Sequence, residues 1–319
     1  MSGADFPDDW AEHPANGNNW GRWGADDELG TANLLTPAHV VSAAALIRTG
    51  TIVSLALPLE RGGPVHPERS DITHLFHYTP SDSTVDSDLA RNNPGFQGSD
   101  DYIFMPLQGS TQWDGLAHAA YGGWLYNGHS IDNIDSYSGA RKCGIEKFKE
   151  KMIGRGVLLD LPALFDTPRL EPGFVIEAEH LDQASEAVGV VVGAGDIAII
   201  RTGHIGRFYE LSDRRAFWQI PSPGIGPSGV RWLHEHDVAA AAIDNVGFEA
   251  EPFPPGSPCI YPLHVRLIRD LGLTIGELWW LEELAGACRR HERWEFFLSA
   301  PPLNVTHAAG SPLNPIAIF

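Results

Sequence analysis

Apolar residues in this chain come in short blocks with helical stretches between them. Three nearly continuous apolar runs stand out: "GRGVLLDLP" (154–162), "AVGVVVGAGDIAIIRTG" (187–203) and "VAAAAIDNVG" (238–247), each bounded by Gly, Asp or Pro. Such runs predict strands buried on both faces. Between and after them lie "IEAEHLDQASEA" (176–187), "PSGVRWLHEHD" (227–237) and "PLHVRLIRDLG" (262–272), which read as helices; in the last, Leu267, Ile268 and Leu271 form a stripe ending at Gly272. "TPAHVVSAAALIRTG" (36–50) has a Thr at the N-cap position, Pro in the first turn and a closing Gly, so it predicts a helix. "TIVSLALPLE" (51–60) then predicts a strand. The alternation argues for an α/β fold, with a mixed buried sheet flanked by helices. Residues 61–100, rich in Gly, Pro, Asp and Ser, are expected to form a long irregular excursion of the kind that covers a site or an interface. Residues 1–35 are expected to form an arm held down by Trp10, Trp20 and Trp23 on its own subunit or a neighbour's. Residues 36–319 show no repeat or composition break and are expected to be one domain.

Composition narrows the classes of function. Lys and Arg number 22 against 41 Asp and Glu, a formal net charge of −19. Binding to phosphate backbones or to anionic lipid therefore has no electrostatic support, and no partner of either kind is expected. No apolar run approaches the ~18 residues of a membrane span. The acidic start "MSGADFPDDW" lacks the order of a secretory signal. Three cysteines without a C-x-x-C pair support neither a disulfide framework nor a thiolate zinc site, and point to the cytoplasm.

Gly193, Gly195 and Ala198 match G-x-G-x-x-A after an apolar run, the pattern of a dinucleotide-binding turn. That turn needs a helix to begin there so that its amides meet a pyrophosphate. The isoleucine-rich "IAIIRTG" reads instead as a strand. A nicotinamide-dependent oxidoreductase is therefore the weakest of three functional readings, with the glycines and Asp196 forming a turn between strands.

The chemistry concentrates in "LQGSTQWDGLAHAAYGGWLYNGH" (107–129). Gln108, Gln112, Asp114 and His118 share one parity, so in an extended segment their side chains share a face while Trp113 points the other way. Two readings follow, a solvated strand edge or a site. Carboxylate, imidazole and amide oxygen together make a donor set for a divalent cation when thiolates are absent. In the second half, His264 precedes the stripe of the 262–272 helix, and Glu277 follows in an extended piece. By themselves they read equally well as a surface histidine and a capping carboxylate.

Taken together these stretches resemble the cyclase family, also called kynurenine formamidase-like or isatin hydrolase-like. Its signature is H-x-G-T-H-x-D-x-P-x-H; here the same frame reads "QGSTQWDGLAH", keeping Thr111, Asp114 and His118. "NWGRWGADDELGTANLLTP" (19–37), "GRGVLLDL" (154–161), "GDIAIIRTG" (195–203), "AAIDNVGFE" (241–249), "LHVRLIRDLG" (263–272) and "GSPLNPIAIF" (310–319) extend the resemblance over nearly the whole chain. Both signature histidines that bind metal are glutamines here, Gln108 and Gln112, and the proline is Leu116. In this the chain is similar to a branch that includes trans-dienelactone hydrolase-like proteins.

The resemblance implies a swivelling β/β/α-type fold, a homodimer or homotetramer, and a metal-dependent hydrolase of lactones or amides. The expected cofactor is a divalent ion, Mn²⁺ or Zn²⁺, with Mg²⁺ a third candidate; amide oxygens in place of imidazoles favour the harder ions. Gln108, Gln112 and Asp114 are the expected ligands and His118 the general acid/base. His264 and Glu277 match the family's second-half site positions. The substrate is expected to be a small molecule with a planar or ring-containing carbonyl, against aromatics such as Trp23, Trp113 and Tyr121. The third reading is a catalytically silent binding protein whose glutamines have lost the metal.

Overall fold

The computed structural model describes residues 6–84, 88–92 and 95–319. Its centre is a nine-stranded mixed sheet. In chain order the strands are β1 (Ile52–Ser54), β2 (Gln112–Asp114), β3 (Ile153–Asp160), β4 (Ile197–Arg201), β5 (Ala240–Ile243), β6 (Thr274–Glu277), β7 (Glu295–Ser299), β8 (Gly310–Pro312) and β9 (Ile316–Ile318). Their order across the sheet is β1-β9-β7-β3-β4-β5-β6-β2-β8. The middle four, β3 to β6, are parallel, and every other pairing is antiparallel.

The parallel core follows from composition. All residues of β4, β5 and β6 are buried; β4 and β5 are apolar apart from Arg201, as strands covered on both faces tend to be, whereas β6 buries Thr274 and Glu277. Helices α2 (Ala178–Ala187) and α3 (Pro227–Glu235) make two of the crossovers. The third, between β5 and β6, is a helical turn, Pro262–His264, that runs on as a π-helix, Val265–Asp270; together they are called α4 here. Helices α1 (Pro37–Ala44) and α5 (Glu282–His291) also pack against the sheet, α5 following β6 directly, and two short helices, Asp88–Asn92 and Gly206–Glu210, lie in the connections.

Several expected elements are shorter or placed differently. The 36–50 helix stops at Ala44, and only Ile52–Ser54 of "TIVSLALPLE" is strand. Of residues 187–203, only Ile197–Arg201 is strand. "VGVVV" is irregular instead, with Val191 80% exposed. The glycine turn thus joins a loop to a strand rather than two strands. Asp196 closes it by accepting from the Gly193 amide at 2.8 Å and from Arg155 at 2.9 Å. Within 61–100 the chain is less irregular than expected, because Thr73–Tyr78 pairs antiparallel with Asp100–Phe104 as a separate ribbon.

Residues 10–35 pack on their own chain. Trp10 is buried and donates its indole N–H to Asp270 Oδ2 at 2.8 Å, and the Ala15 amide donates to the same oxygen at 3.1 Å. Trp20 donates to the Arg269 carbonyl at 2.6 Å. Arg269, wholly buried, answers with Nε to Asp270 Oδ1 at 2.7 Å and a guanidinium N–H to the Trp10 carbonyl at 2.9 Å. Ala32 and Leu35 join the main core. No helix among the described residues is long and apolar enough to cross a membrane.

Candidate metal centre

The site forms at the carboxyl-terminal end of the parallel strands, where open α/β sheets place ligands. Strand β6 ends at Glu277, which lies directly opposite Gln112 on β2. Cross-strand partners share a face, and the Gln112 amide nitrogen donates to Glu277 Oε2 at 3.0 Å. Asp114, two residues on, has the same orientation. Both Asp114 oxygens and Gln112 Oε1 are buried with no hydrogen-bond partner. Three orphaned acceptors side by side are costly in a protein interior. They match the donors a hard cation selects.

Two imidazoles complete the cluster. His118 Nε2 lies 3.5 Å from Asp114 Oδ1, and His264 Nε2 lies 4.0 Å from Asp114 Oδ2. One ligand atom from each of Asp114, His118 and His264 falls within 4.8 Å of the others. His264 is held on both sides, Nε2 facing Glu277 Oε1 at 3.1 Å and Nδ1 facing Glu249 Oε1 at 3.2 Å. Glu249 also accepts from the Leu263 and His264 amides at 3.1 and 2.9 Å. It thereby caps the first turn of α4, where backbone N–H groups lack partners, and fixes the imidazole with the same carboxylate.

Charge decides protonation. Burial first, then the facing Glu277, raise the Asp114 carboxyl well above the usual range. Burial alone would lower His264, but its hydrogen bonds to Glu249 and Glu277 outweigh that and lift it to about 10. Burial and the neighbouring His264 push His118 down to about 4, so it is neutral at pH 7. Glu277 is lowered: burial opposes its charge, but the hydrogen bond from His264 overcomes it.

These shifts set a pH dependence. His264 binds its proton more tightly folded than unfolded, so its stabilisation is complete below about pH 6.5 and is lost as pH rises towards 10. Metal-free protein is expected to lose stability, on the order of a few kcal/mol, across that window. Denaturant unfolding at stepped pH should show the decline, and His264→Gln should flatten it.

Other expected site residues are placed as follows. Gly310 on β8 lies opposite Asp114, and the space a side chain would take there is filled by the Gln108 amide, its nitrogen 2.7 Å from an ideal Cβ position. Gln108 is therefore on the Asp114 face. Trp113 does not border the cavity: it is fully buried on the opposite face, donating to the Ala300 carbonyl at 2.8 Å and meeting Trp279 edge to face. Tyr121 packs, tilted, against Trp10 of the arm with centroids 4.5 Å apart, and Trp23, itself in the arm, lies under Arg22.

The open part of the site is a cavity of about 440 Å³, bordered by His118, His264, Glu277, Tyr261, Glu68 and Arg69. Glu249 and Arg69 were not singled out in the sequence. Glu249 closes the quoted stretch "AAIDNVGFE", but its carboxylate meets His264 only through the fold.

Ser110 stands where the signature has glycine. Its φ is +60°, in the left-handed region that favours glycine, and its buried hydroxyl has no partner. Ser110→Gly is expected to stabilise the fold by about 1 kcal/mol, readable as a higher thermal midpoint. Thr111, next in line, pins the start of β2 by donating to the Leu278 carbonyl at 2.6 Å and accepting from the Leu57 amide at 2.9 Å.

A mixed sheet with a buried acid and two imidazoles at its carboxyl-terminal edge defines an α/β protein of the swivelling β/β/α class. A family model described as "Putative cyclase" matches residues 53–250, and the chain belongs to that family. It is 44% identical to a solved structure described as a novel cyclase, over 95% of this chain and 99% of that one, with a TM-score of 0.88. Isatin hydrolase A from Labrenzia aggregata, solved with benzyl benzoate, shares the fold at 20% identity, 88% and 97% coverage and a TM-score of 0.56. So does a "predicted metal-dependent hydrolase" from Bacillus stearothermophilus, at 15% identity, 85% and 98% coverage and a TM-score of 0.52. Among curated proteins, a "probable CoA-transferase" from Mycobacterium tuberculosis is 28% identical over an alignment of 204 residues that covers 58% of this chain. The chain spans 22% of that protein's length.

Proposed function

We propose that the chain is a divalent-metal-dependent hydrolase that opens a lactone or an amide, cyclic amides included, by adding water to its carbonyl. The observation that carries this reading is the set of three orphaned, buried oxygens on Gln112 and Asp114 beside two imidazoles. Asp114, Gln112 and Gln108 would hold the ion, with His264 completing the set once the ion displaces its Nε2 proton. When bound, the ion supplies Lewis-acid polarisation of the carbonyl and makes water easier to deprotonate. Oxygen donors favour Mn²⁺ or Mg²⁺ over Zn²⁺. The fold is also that of isatin hydrolase A, a protein named for its action on a cyclic amide.

The chain's own groups then divide the work. His118, neutral and on the cavity wall, accepts a proton from the attacking water and returns it to the departing oxygen or nitrogen. Glu277 fixes His264 and Gln112 together, and Glu249 fixes His264 from the other side. Arg69 reaches the cavity as a cation and holds the substrate's carbonyl end in place.

The test is proton release from a panel of lactones, formamides and cyclic imides, using chelator-treated protein resupplied with Mn²⁺, Zn²⁺ or Mg²⁺. Turnover restored by one of these ions is expected. Metal-independent turnover, or none with any ion, would reject the proposal.

A further inference from the structure

Strand β1 lies at one edge of the main sheet, paired on a single side with β9. The Phe319 amide donates to the Thr51 carbonyl at 3.0 Å, and the Leu55 amide to the Pro315 carbonyl at 2.8 Å. Bonded residues alternate along an antiparallel ladder. Val53 therefore also bonds inward, while Ile52 and Ser54 turn their N–H and C=O groups outward. Nothing among the described residues meets these four groups. Thr51–Leu55 contains no charge and no proline, and Ile52 is 66% exposed. Sheets usually guard such an edge or use it for pairing.

Helix α5 packs beside β1. Between them lies an open groove of about 600 Å³, with Val53, Leu57, Pro58 and Trp280 in its apolar lining and Glu283 and Arg290 in its charged lining. Both charged side chains are exposed, and neither has an ion pair or hydrogen bond among the described residues. They stand two turns apart on one stripe of the helix, about 10 Å along its axis. Gly286 lies between them on that stripe. The place of its missing side chain is empty except for the Arg290 guanidinium, 3.2 Å away. Glycine is a poor helix former, and here it leaves room for another backbone to approach closely.

This stripe is complementary to itself. Turned over by a two-fold axis beside Gly286, it sets Glu283 against Arg290 of the partner subunit, and the reverse, as an isologous contact requires. The same operation sets β1 antiparallel to its copy, with Ile52 opposite Ser54 of the partner subunit. Every outward amide and carbonyl of both strands then has a partner.

We infer that the face formed by β1 and α5 is where two copies of this chain join, carrying the sheet across the junction. A foreign partner would have to supply both charges at matching spacing, whereas a second copy does so by symmetry. The junction also adjoins the anchors of the metal centre. The Leu55 carbonyl accepts from the Trp280 amide at 2.8 Å, and the Leu57 amide donates to Thr111 Oγ1 at 2.9 Å. Pairing at β1 thus steadies the segment that ties the start of β2 to the chain beyond β6. The contact itself is independent of the hydrolytic reading.

Assembly follows mass action, so sedimentation velocity of the full-length chain at about 10 µM compares the parent with Glu283→Arg, Arg290→Glu and the double swap. Like charges facing each other oppose association. The parent is expected to run as an even-numbered assembly, each single swap at half its mass, and the double swap at the parent's mass. Both swaps oppose the helix dipole, so damage to the helix itself would be worst in the double swap, and recovery there reads the pair. Hydrogen exchange locates the contact: the Thr51–Leu55 peptide should exchange at least tenfold more slowly in the parent and the double swap than in either single swap. A monomeric parent, a mass unmoved by the single swaps, a double swap that stays dissociated, or equal exchange of that peptide in all four proteins would overturn the inference.

Discussion

Asp114→Asn is expected to abolish divalent-ion binding and to lower turnover about 1,000-fold or more, the several kcal/mol that a Lewis acid contributes to such a barrier. The metal-free variant should nevertheless be as stable as the parent, or more so. The reason lies in what surrounds the carboxylate. Asp114 is buried, faces Glu277, and has neither oxygen satisfied. Without an ion this is an arrangement a structure tolerates rather than one that holds it together. Asparagine removes the charge and keeps the shape, so the variant separates a group kept for binding from one kept for folding. Elemental analysis after dialysis against Mn²⁺ and a denaturant titration of the stripped proteins read the two effects independently. Stoichiometric metal in Asp114→Asn would place the ion elsewhere.

His118→Ala is expected to retain metal and lose about 100-fold or more in kcat, the usual contribution of a positioned acid/base. His118 lies within reach of a shared cation, so geometry alone permits it to be a ligand too. Its surroundings favour the proton-transfer role. Its side chain is 24% exposed on the cavity wall, whereas that of His264 is 9% exposed and clasped between two carboxylates. A ligand whose loss empties the site and a base whose loss leaves it full are told apart by metal content measured alongside kcat. Near-normal kcat would remove His118 from the mechanism.

The parts of this protein that were readable in sequence are those governed by local rules. Strand β5 is wholly apolar and β4 is so up to its last residue, Arg201; helix α2 falls between β3 and β4 and α3 between β4 and β5, as predicted. "VGVVV" obeys the same local rule and still forms no strand, since pairing is a property of neighbours and none lies alongside it. Even spacing in 108–118 placed Gln112 and Asp114 on a common face and Trp113 on the other. Trp113, Tyr121 and Trp23, expected at the site, do not border its cavity, because an aromatic ring does not encode which surface it covers. Glu249 and Arg69 lie on loops without periodicity, and their distance from Asp114 along the chain hid their meeting in space.

The hydrogen bond between Gln112 and Glu277 joins residues 165 apart, and the one between Trp10 and Asp270 joins residues 260 apart. The ribosome therefore makes Asp114 and its glutamines well before their counterparts, and helix α4 gains its Trp10 anchor by folding back onto a segment made long before it. Until Glu277 has emerged, the strand end that carries Gln112 and Asp114 has no β6 to pair with.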